Sequence, residues 1–141
     1  MKSKVYYWCP FIDKVATVRS VLNSSYSLAK YDNFFDPVIL NVCGEWTPYE
    51  KEINKNGVGL EHLTKASILP LKKIKGGFIF SRLLYLLIIF KSILPLSKFL
   101  KNNQNNYIII HLLTSLPLFL TLILKKKIKV ILRISGLPRL T

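Results

Sequence analysis

Acidic residues are scarce in this 141-residue sequence and missing from its second half. Seven Asp and Glu stand against 21 Lys and Arg, and all seven acids lie within residues 1–64, where seven cations balance them. Residues 65–141 carry fourteen cations and no acid. This imbalance predicts an anionic partner for the second half. Lipid headgroups or phosphorylated sugars fit better than nucleic acid, which we do not expect as a partner, because the lysines lie among Leu and Ile runs rather than among aromatic residues.

Cysteine and glycine are too few for several kinds of site. Cys9 and Cys43 make neither a disulfide framework nor a zinc-binding cluster, so we expect two buried thiols and no metal site. No glycine-rich phosphate loop follows the first predicted strand, which argues against a nucleotide or other cofactor held by that turn. The sequence also lacks a paired-carboxylate or nucleophile-triad pattern, which makes a self-contained hydrolase improbable.

The order of the predicted elements indicates an α/β fold. Lys4–Trp8 reads as a strand, residues 15–29 have the three- and four-residue spacing of an amphipathic helix, and Val38–Cys43 reads as a second strand. Together they form a βαβ unit, which requires a parallel sheet. Further along, we predict an irregular polar segment at 45–76 with a possible short strand at 57–63, a helix at 77–101, a strand at 107–113, a helix opening at 114–115 and a strand at 129–134.

Candidate site residues follow from this topology, because ligands of parallel sheets bind beyond the carboxyl ends of the strands. His111 is the candidate catalytic residue, with a hydrogen-bonded core histidine as the open alternative. Glu45 and Trp46 are either a carboxylate with a sugar-stacking ring or a solvated loop with a packed indole. The candidate substrate-binding residues are Asp13, Lys14, Thr17, Glu45, Trp46, Thr114, Ser115, Arg133, Ser135 and Gly136.

The long apolar helix predicts contact with a membrane. Cations surround it at Lys72, Lys73, Lys75, Arg82 and Lys91, a pattern that suits an anionic bilayer surface. The alternative is that this helix only covers the sheet. A second alternative is a small basic membrane protein with two spans and no enzymatic role, since residues 107–124 are 18 residues without a formal charge. No signal-peptide pattern opens the chain, so we expect it on the cytoplasmic side.

Four blocks of the sequence, WCPFIDKVAT, GEW, HLLTSLPL and ILRISGLP, resemble bacterial glycosyltransferases of family 4, of the type that builds cell-envelope polysaccharide or lipopolysaccharide. The resemblance implies a GT-B fold, in which a Rossmann-like first domain binds the acceptor and a second domain binds the nucleotide-sugar. It implies retention at the anomeric carbon and a glycan or lipid-linked acceptor at the inner face of the cell membrane. Residues 1–141 then correspond to a single, C-terminally incomplete acceptor-side domain, and alone we expect them to transfer no sugar.

Overall fold

The structure is a computed structural model that describes residues 2–12, 16–65, 67, 77–112 and 129–134. Five strands and three helices make up this part of the chain, with a short 3-10 helix at Thr47–Tyr49. In chain order they are β1 (Ser3–Trp8), α1 (Ala16–Tyr31), β2 (Phe35–Asn41), α2 (Glu50–Lys55), β3 (Gly59–His62), α3 (Phe78–Asn102), β4 (Tyr107–Leu112) and β5 (Lys129–Ile134).

The strands form one sheet in the order β3-β2-β1-β4-β5, and every neighbouring pair is parallel. Successive strands first move outward from β1 to β3, and the chain then crosses back to place β4 on the other side of β1. The prediction of a Rossmann-like parallel sheet with flanking helices is therefore confirmed. The strand order reverses between β1 and β4, and in folds of this class ligands bind beyond the carboxyl ends of the strands at such a switch point.

One side of the sheet, the α1 face, is covered by α1 and α2. Val18, Val21 and Leu22 of α1 pack with Ile53 of α2 on the apolar side chains of the central strands. The spacing of these α1 residues places them on one stripe of the helix, while the opposite side exposes Asn23, Ser27 and Lys30. The contact buries an apolar stripe on each partner, which is the main source of its stability.

The other side, the α3 face, is covered by α3. Ile88, Leu96 and Leu100 pack on Tyr6 and Trp8 of β1 and on Ile108 and Ile110 of β4. The Tyr6 ring meets the Phe99 ring edge to face at a centroid distance of 4.8 Å, and its hydroxyl donates to Oδ1 of Asn103 at 2.9 Å. Because β1 side chains alternate, Tyr6 and Trp8 belong to this face, and Val5 and Tyr7 to the other.

Strand β2 differs from its predicted bounds of Val38–Cys43. It begins at Phe35 and includes Pro37, which is tolerated there because β3 pairs with β2 only from Val38 onward. The strand ends at Asn41 because the backbone N–H groups that follow it donate hydrogen bonds to a side chain. The Glu45 carboxylate accepts hydrogen bonds from the N–H groups of Val42 and Cys43, so these donors are not available to a ladder.

One further expectation about secondary structure is wrong. The segment predicted as irregular contains helical structure at Thr47–Lys55, followed by β3 at Gly59–His62 within the predicted strand range. The strand predicted at 107–113 is confirmed as β4 (Tyr107–Leu112), which excludes the alternative of a helical span for these six residues. Within the described residues, one helical stretch, Ile79–Asn102, is long and apolar enough to cross a membrane by length and composition. The predicted helix opening at 114–115 lies outside the described residues.

Candidate functional site

β1 and β4 flank the switch point, with β5 beside β4, and the functional side chains at the carboxyl ends of these strands lie on the α1 face. Tyr7 pairs with Ile109 across β1 and β4, and His111 pairs with Arg133 across β4 and β5. Side chains in register share a face of the sheet, so Tyr7, His111 and Arg133 all project toward α1. The fold thus brings together His111 and Arg133, which the sequence predicted as separate strand-end candidates.

His111 is fully buried, and neither ring nitrogen has a hydrogen-bond partner among the described residues. Its ring lies 6.2 Å from the Tyr7 ring, centroid to centroid, at an interplanar angle of 34°. Burial, and after it the positive charge of Arg133, lower the pKa of His111 to about 4. At neutral pH the imidazole is therefore uncharged, with one N–H donor and one nitrogen acceptor.

Two open polar atoms on a buried ring are unusual, because buried polar groups almost always have partners. Each one left unsatisfied costs on the order of 1–3 kcal/mol, and a ligand that hydrogen-bonds to the ring would remove this cost. Within the described part of the chain, no acidic residue forms an ion pair with the exposed Arg133. The arrangement combines a neutral donor and acceptor with a fixed cation, which suits a ligand bearing hydroxyls and a negative charge.

Tyr7 connects this site to α1. Its hydroxyl shares a hydrogen bond with Oγ of Ser24 at 3.3 Å. Burial raises the pKa of Tyr7, with smaller opposite contributions from Ser24 and from Arg133. Thr17, predicted as a cleft residue, is buried in the first turn of α1 as the structure describes it.

Glu45 and Trp46 are built into the turn after β2 instead of facing solvent. Both are fully buried. The Glu45 carboxylate holds the backbone of Val42 and Cys43 at 3.3 and 2.6 Å, and the Trp46 backbone N–H donates to Oδ1 of Asn41 at 3.2 Å. The alternative of a packed indole is the one observed, since Trp46 meets Phe11 edge to face at 4.8 Å. Glu45, however, is not solvated. Its role in this structure is to fix the turn.

Gly44 is required for the shape of this turn. Its φ is +80°, and a Cβ at this position would lie 2.8 Å from Oγ of Ser67. An L-residue would therefore suffer both an unfavourable backbone conformation and a collision. At Gly57, with φ +71°, an added Cβ would meet nothing within 4 Å, so only the backbone conformation favours glycine there.

The two cysteines are free and buried, as the sequence predicted. Burial, and after it the negative charge of Glu45, raise the pKa of Cys9 to about 12. Burial also raises the pKa of Cys43, again with Glu45 as the next cause. A thiol with a raised pKa holds its proton at neutral pH, so neither cysteine is a nucleophile in this environment.

A polar cluster that the sequence did not predict lies further along the same face. Asn41 and His62 are paired in register at the ends of β2 and β3, with Nδ2 of Asn41 3.1 Å from Nδ1 of His62. The other ring nitrogen of His62 lies 3.9 Å from Oε1 of Glu50. Both Asn41 and His62 end strands, so the sequence could have indicated each as a site candidate, but their contact depends on the β2–β3 register. The part of the chain that the structure describes contains no group of three His, Cys, Asp or Glu able to hold a metal ion.

Several predicted residues lie outside the described ranges, so their positions relative to His111 and Arg133 stay predictions. Among the substrate-binding candidates they are Asp13, Lys14, Thr114, Ser115, Ser135 and Gly136. Among the membrane-surface candidates they are Lys72, Lys73 and Lys75.

Together, the parallel sheet, its switch point and the strand-end side chains define the class of fold as Rossmann-like α/β. No family model, no curated protein and no solved structure matches this chain.

Proposed function

We propose that this chain is the acceptor-binding portion of a glycosyltransferase that makes cell-envelope glycan. The acceptor is a glycan or a lipid-linked sugar, met at the cytoplasmic face of the cell membrane. The nucleotide-sugar is the co-substrate, and in this proposal a second domain binds it. The resemblance in the four sequence blocks suggests the reaction, and the observed parallel sheet is the fold that the resemblance implies.

The observation that carries the proposal is that Nδ1 and Nε2 of His111, at the switch point, have no hydrogen-bond partner among the described residues. A sugar hydroxyl is both donor and acceptor, so it can donate to one imidazole nitrogen while a second hydroxyl accepts from the other. Arg133, in register with His111, offers a guanidinium to a phosphate of a lipid-linked acceptor. The two side chains thus match the two chemical parts of such an acceptor, its hydroxyls and its phosphate.

The protonation state of His111 assigns it a role within this proposal. A general base works best when its pKa is near the operating pH, and burial places the pKa of His111 at about 4, below that range. We therefore assign His111 to binding and orienting the acceptor hydroxyl rather than to removing its proton. Orientation alone can contribute several kcal/mol to the lowering of the barrier.

The chain contains two histidines, which allows a direct test with an internal reference. The probes are a water-soluble polyprenyl-diphosphate-linked disaccharide and a lipopolysaccharide core oligosaccharide, each added to histidine-labelled protein and followed by NMR. We expect one probe to shift the imidazole signals of His111 and to leave those of the exposed His62 unchanged. His111→Gln should weaken binding at least tenfold, whereas His62→Gln should not.

The pattern of responses separates the possible acceptors. A response to the disaccharide alone indicates a lipid-linked acceptor, and a response to the core oligosaccharide alone indicates a polysaccharide acceptor. If both probes leave His111 unchanged at millimolar concentration, or if binding is the same in His111→Gln, the acceptor site is not at this switch point and the proposal fails.

A further inference from the structure

Helix α3 has an apolar outer surface that is exposed in the part of the chain that the structure describes. Its inner side packs on the sheet through Ile88, Leu96 and Leu100. Its outer side exposes a second apolar set, which we call the outer stripe and which consists of Ile79, Leu83, Leu87, Phe90 and Leu94. Steps of three and four residues keep this set on one side of the helix.

The two apolar sets lie on opposite sides of α3. Phe90 and Leu94 are each two residues from a buried position, Ile88 and Leu96, and two residues correspond to a rotation of about 200°. Phe90 is 67% exposed and Leu94 is 79% exposed. The outer stripe extends over sixteen residues, from Ile79 to Leu94, or about 22 Å along the helix axis. Contiguous apolar surfaces of this kind mark interaction sites.

Charge identifies the partner of the outer stripe. Lys91, Lys98 and Lys101 are exposed on the same helix, which has no acidic residue from Phe78 to Asn102. Contact between two copies of α3 would bring these cations together with no acid to offset them. An anionic lipid surface instead offers negative headgroups to the lysines and acyl chains to the apolar side chains.

The packing of α3 also decides how it meets the bilayer. A spanning helix would have to leave the sheet, exposing Tyr6 and Trp8 and breaking the Tyr6–Asn103 hydrogen bond. We propose that α3 instead docks in the plane of an anionic bilayer through its outer stripe, with the sheet lying above it. This inference goes beyond the proposed function and does not depend on it, since it concerns no sugar and no residue of the switch point.

Flotation of the intact chain with vesicles tests the docking. We expect binding to vesicles of phosphatidylcholine and phosphatidylglycerol at 3:1, at least tenfold weaker binding to pure phosphatidylcholine, and a strong decrease as salt is raised. The Leu83→Ser/Phe90→Ser variant should lose binding at least tenfold. Phe34→Ser is the matched control, because Phe34 is 78% exposed but belongs to the connection between α1 and β2 and not to α3. Changing Lys91 or Lys98 to Gln should weaken binding about fivefold each.

Fluorescence gives the depth of insertion. Both native tryptophans, Trp8 and Trp46, are fully buried, so a tryptophan placed at Phe90 is the one that can meet lipid. We expect brominated acyl chains to quench Phe90→Trp strongly and Phe34→Trp no more than the parent protein.

Three results would overturn the docking proposal. The first is vesicle binding that does not depend on anionic lipid or on salt. The second is equal quenching of the two tryptophan variants. The third is the absence of vesicle binding together with a dimer in solution that Leu83→Ser/Phe90→Ser dissociates. The last would assign the outer stripe to a second copy of the chain. The proposed acceptor site would stand or fall separately, because its test uses soluble probes without vesicles.

Discussion

The two faces of the sheet are covered by helices of different kinds. On the α1 face, α1 is apolar inside and polar outside, and the strand ends beneath carry Tyr7, Asn41, His62, His111 and Arg133. On the α3 face, the covered surface is almost wholly apolar, and α3 carries the apolar outer stripe on its exposed side as well. Adjacent residues of β1, Tyr6 and Tyr7, contribute to different faces, so the contrast begins within a single strand.

This difference distinguishes the apolar surface that folding requires from apolar surface that folding does not require. An amphipathic helix such as α1 is sufficient to cover one side of a sheet, and its polar exterior keeps that side in water. The outer stripe of α3 adds no contact with the sheet, so its apolar character needs another cause. We infer that the α1 face holds the ligand chemistry and that the α3 face holds the surface that contacts a partner.

The largest expected effect contrasts the inner and outer sides of α3. Ile88→Ala removes a fully buried side chain and should lower the free energy of unfolding by about 3 kcal/mol, within the range for large-to-small core substitutions. Leu94→Ala, at an exposed position of the same helix, should change it by less than about 0.5 kcal/mol. Urea denaturation of both variants gives the comparison. A cost above about 2 kcal/mol for Leu94→Ala would mean that the outer stripe supports the fold.

A smaller effect is expected on the α1 face, from the titration of His111. Its pKa is about 4 in the folded chain and near 6.5 when unfolded, so between these values the unfolded chain binds more protons. The free energy of unfolding should therefore decrease as the pH falls from about 6.5 to 4, by about 2 kcal/mol after allowance for solvent screening.

Denaturation at several pH values, with two variants, isolates this contribution. His111→Gln should remove most of the decrease between pH 6.5 and 4, because glutamine does not titrate. His62→Gln should retain it. The account of a buried, uncharged His111 is wrong if His111→Gln and the parent protein lose stability in parallel over that range.

The smallest expected effect compares the two adjacent tyrosines. Tyr6→Phe removes the 2.9 Å hydrogen bond to Asn103 on the α3 face and should cost about 1 kcal/mol. Tyr7→Phe removes the longer 3.3 Å hydrogen bond to Ser24 on the α1 face and should cost about 0.5 kcal/mol. Thermal denaturation resolves the pair. The reverse order would show that the Tyr7 hydroxyl anchors α1 more firmly than the distance indicates.

The strands were the most predictable part of the fold. β1, β4 and β5 are runs of aromatic and β-branched residues flanked by polar ones, and their observed bounds agree with the predicted bounds within one residue. Helix α2 was missed because it has six residues and buries only Ile53, too little for a helical period to show. The end of β2 was misplaced because Asn41 and Glu45 end it through side-chain hydrogen bonds, which an apolar run does not reveal.

The sequence predicted which site residues lie at strand ends, but it did not predict contacts that depend on the register between strands. The sequence placed His111 and Arg133 at strand ends, but their proximity comes from the β4–β5 pairing, which was not specified. For Glu45 and Trp46 it left open a sugar-binding pair or a solvated loop with a packed indole; the indole is packed as in the second alternative, but Glu45 is buried in the turn at Gly44. The Asn41–His62 contact was missed for the same reason, since it requires the β2–β3 register.

We infer that the α1 face binds the acceptor while α3 contacts the bilayer. Hydrogen–deuterium exchange on anionic vesicles, with and without the lipid-linked disaccharide, is the most direct test of this inference. We expect the vesicles alone to slow exchange in α3 and to leave α1 unchanged. Adding the disaccharide should then slow exchange at the ends of β1 and β4, and His111→Gln should abolish this second effect alone. Protection of α1 by the vesicles, or slowing of β4 by the vesicles without the disaccharide, would contradict the account.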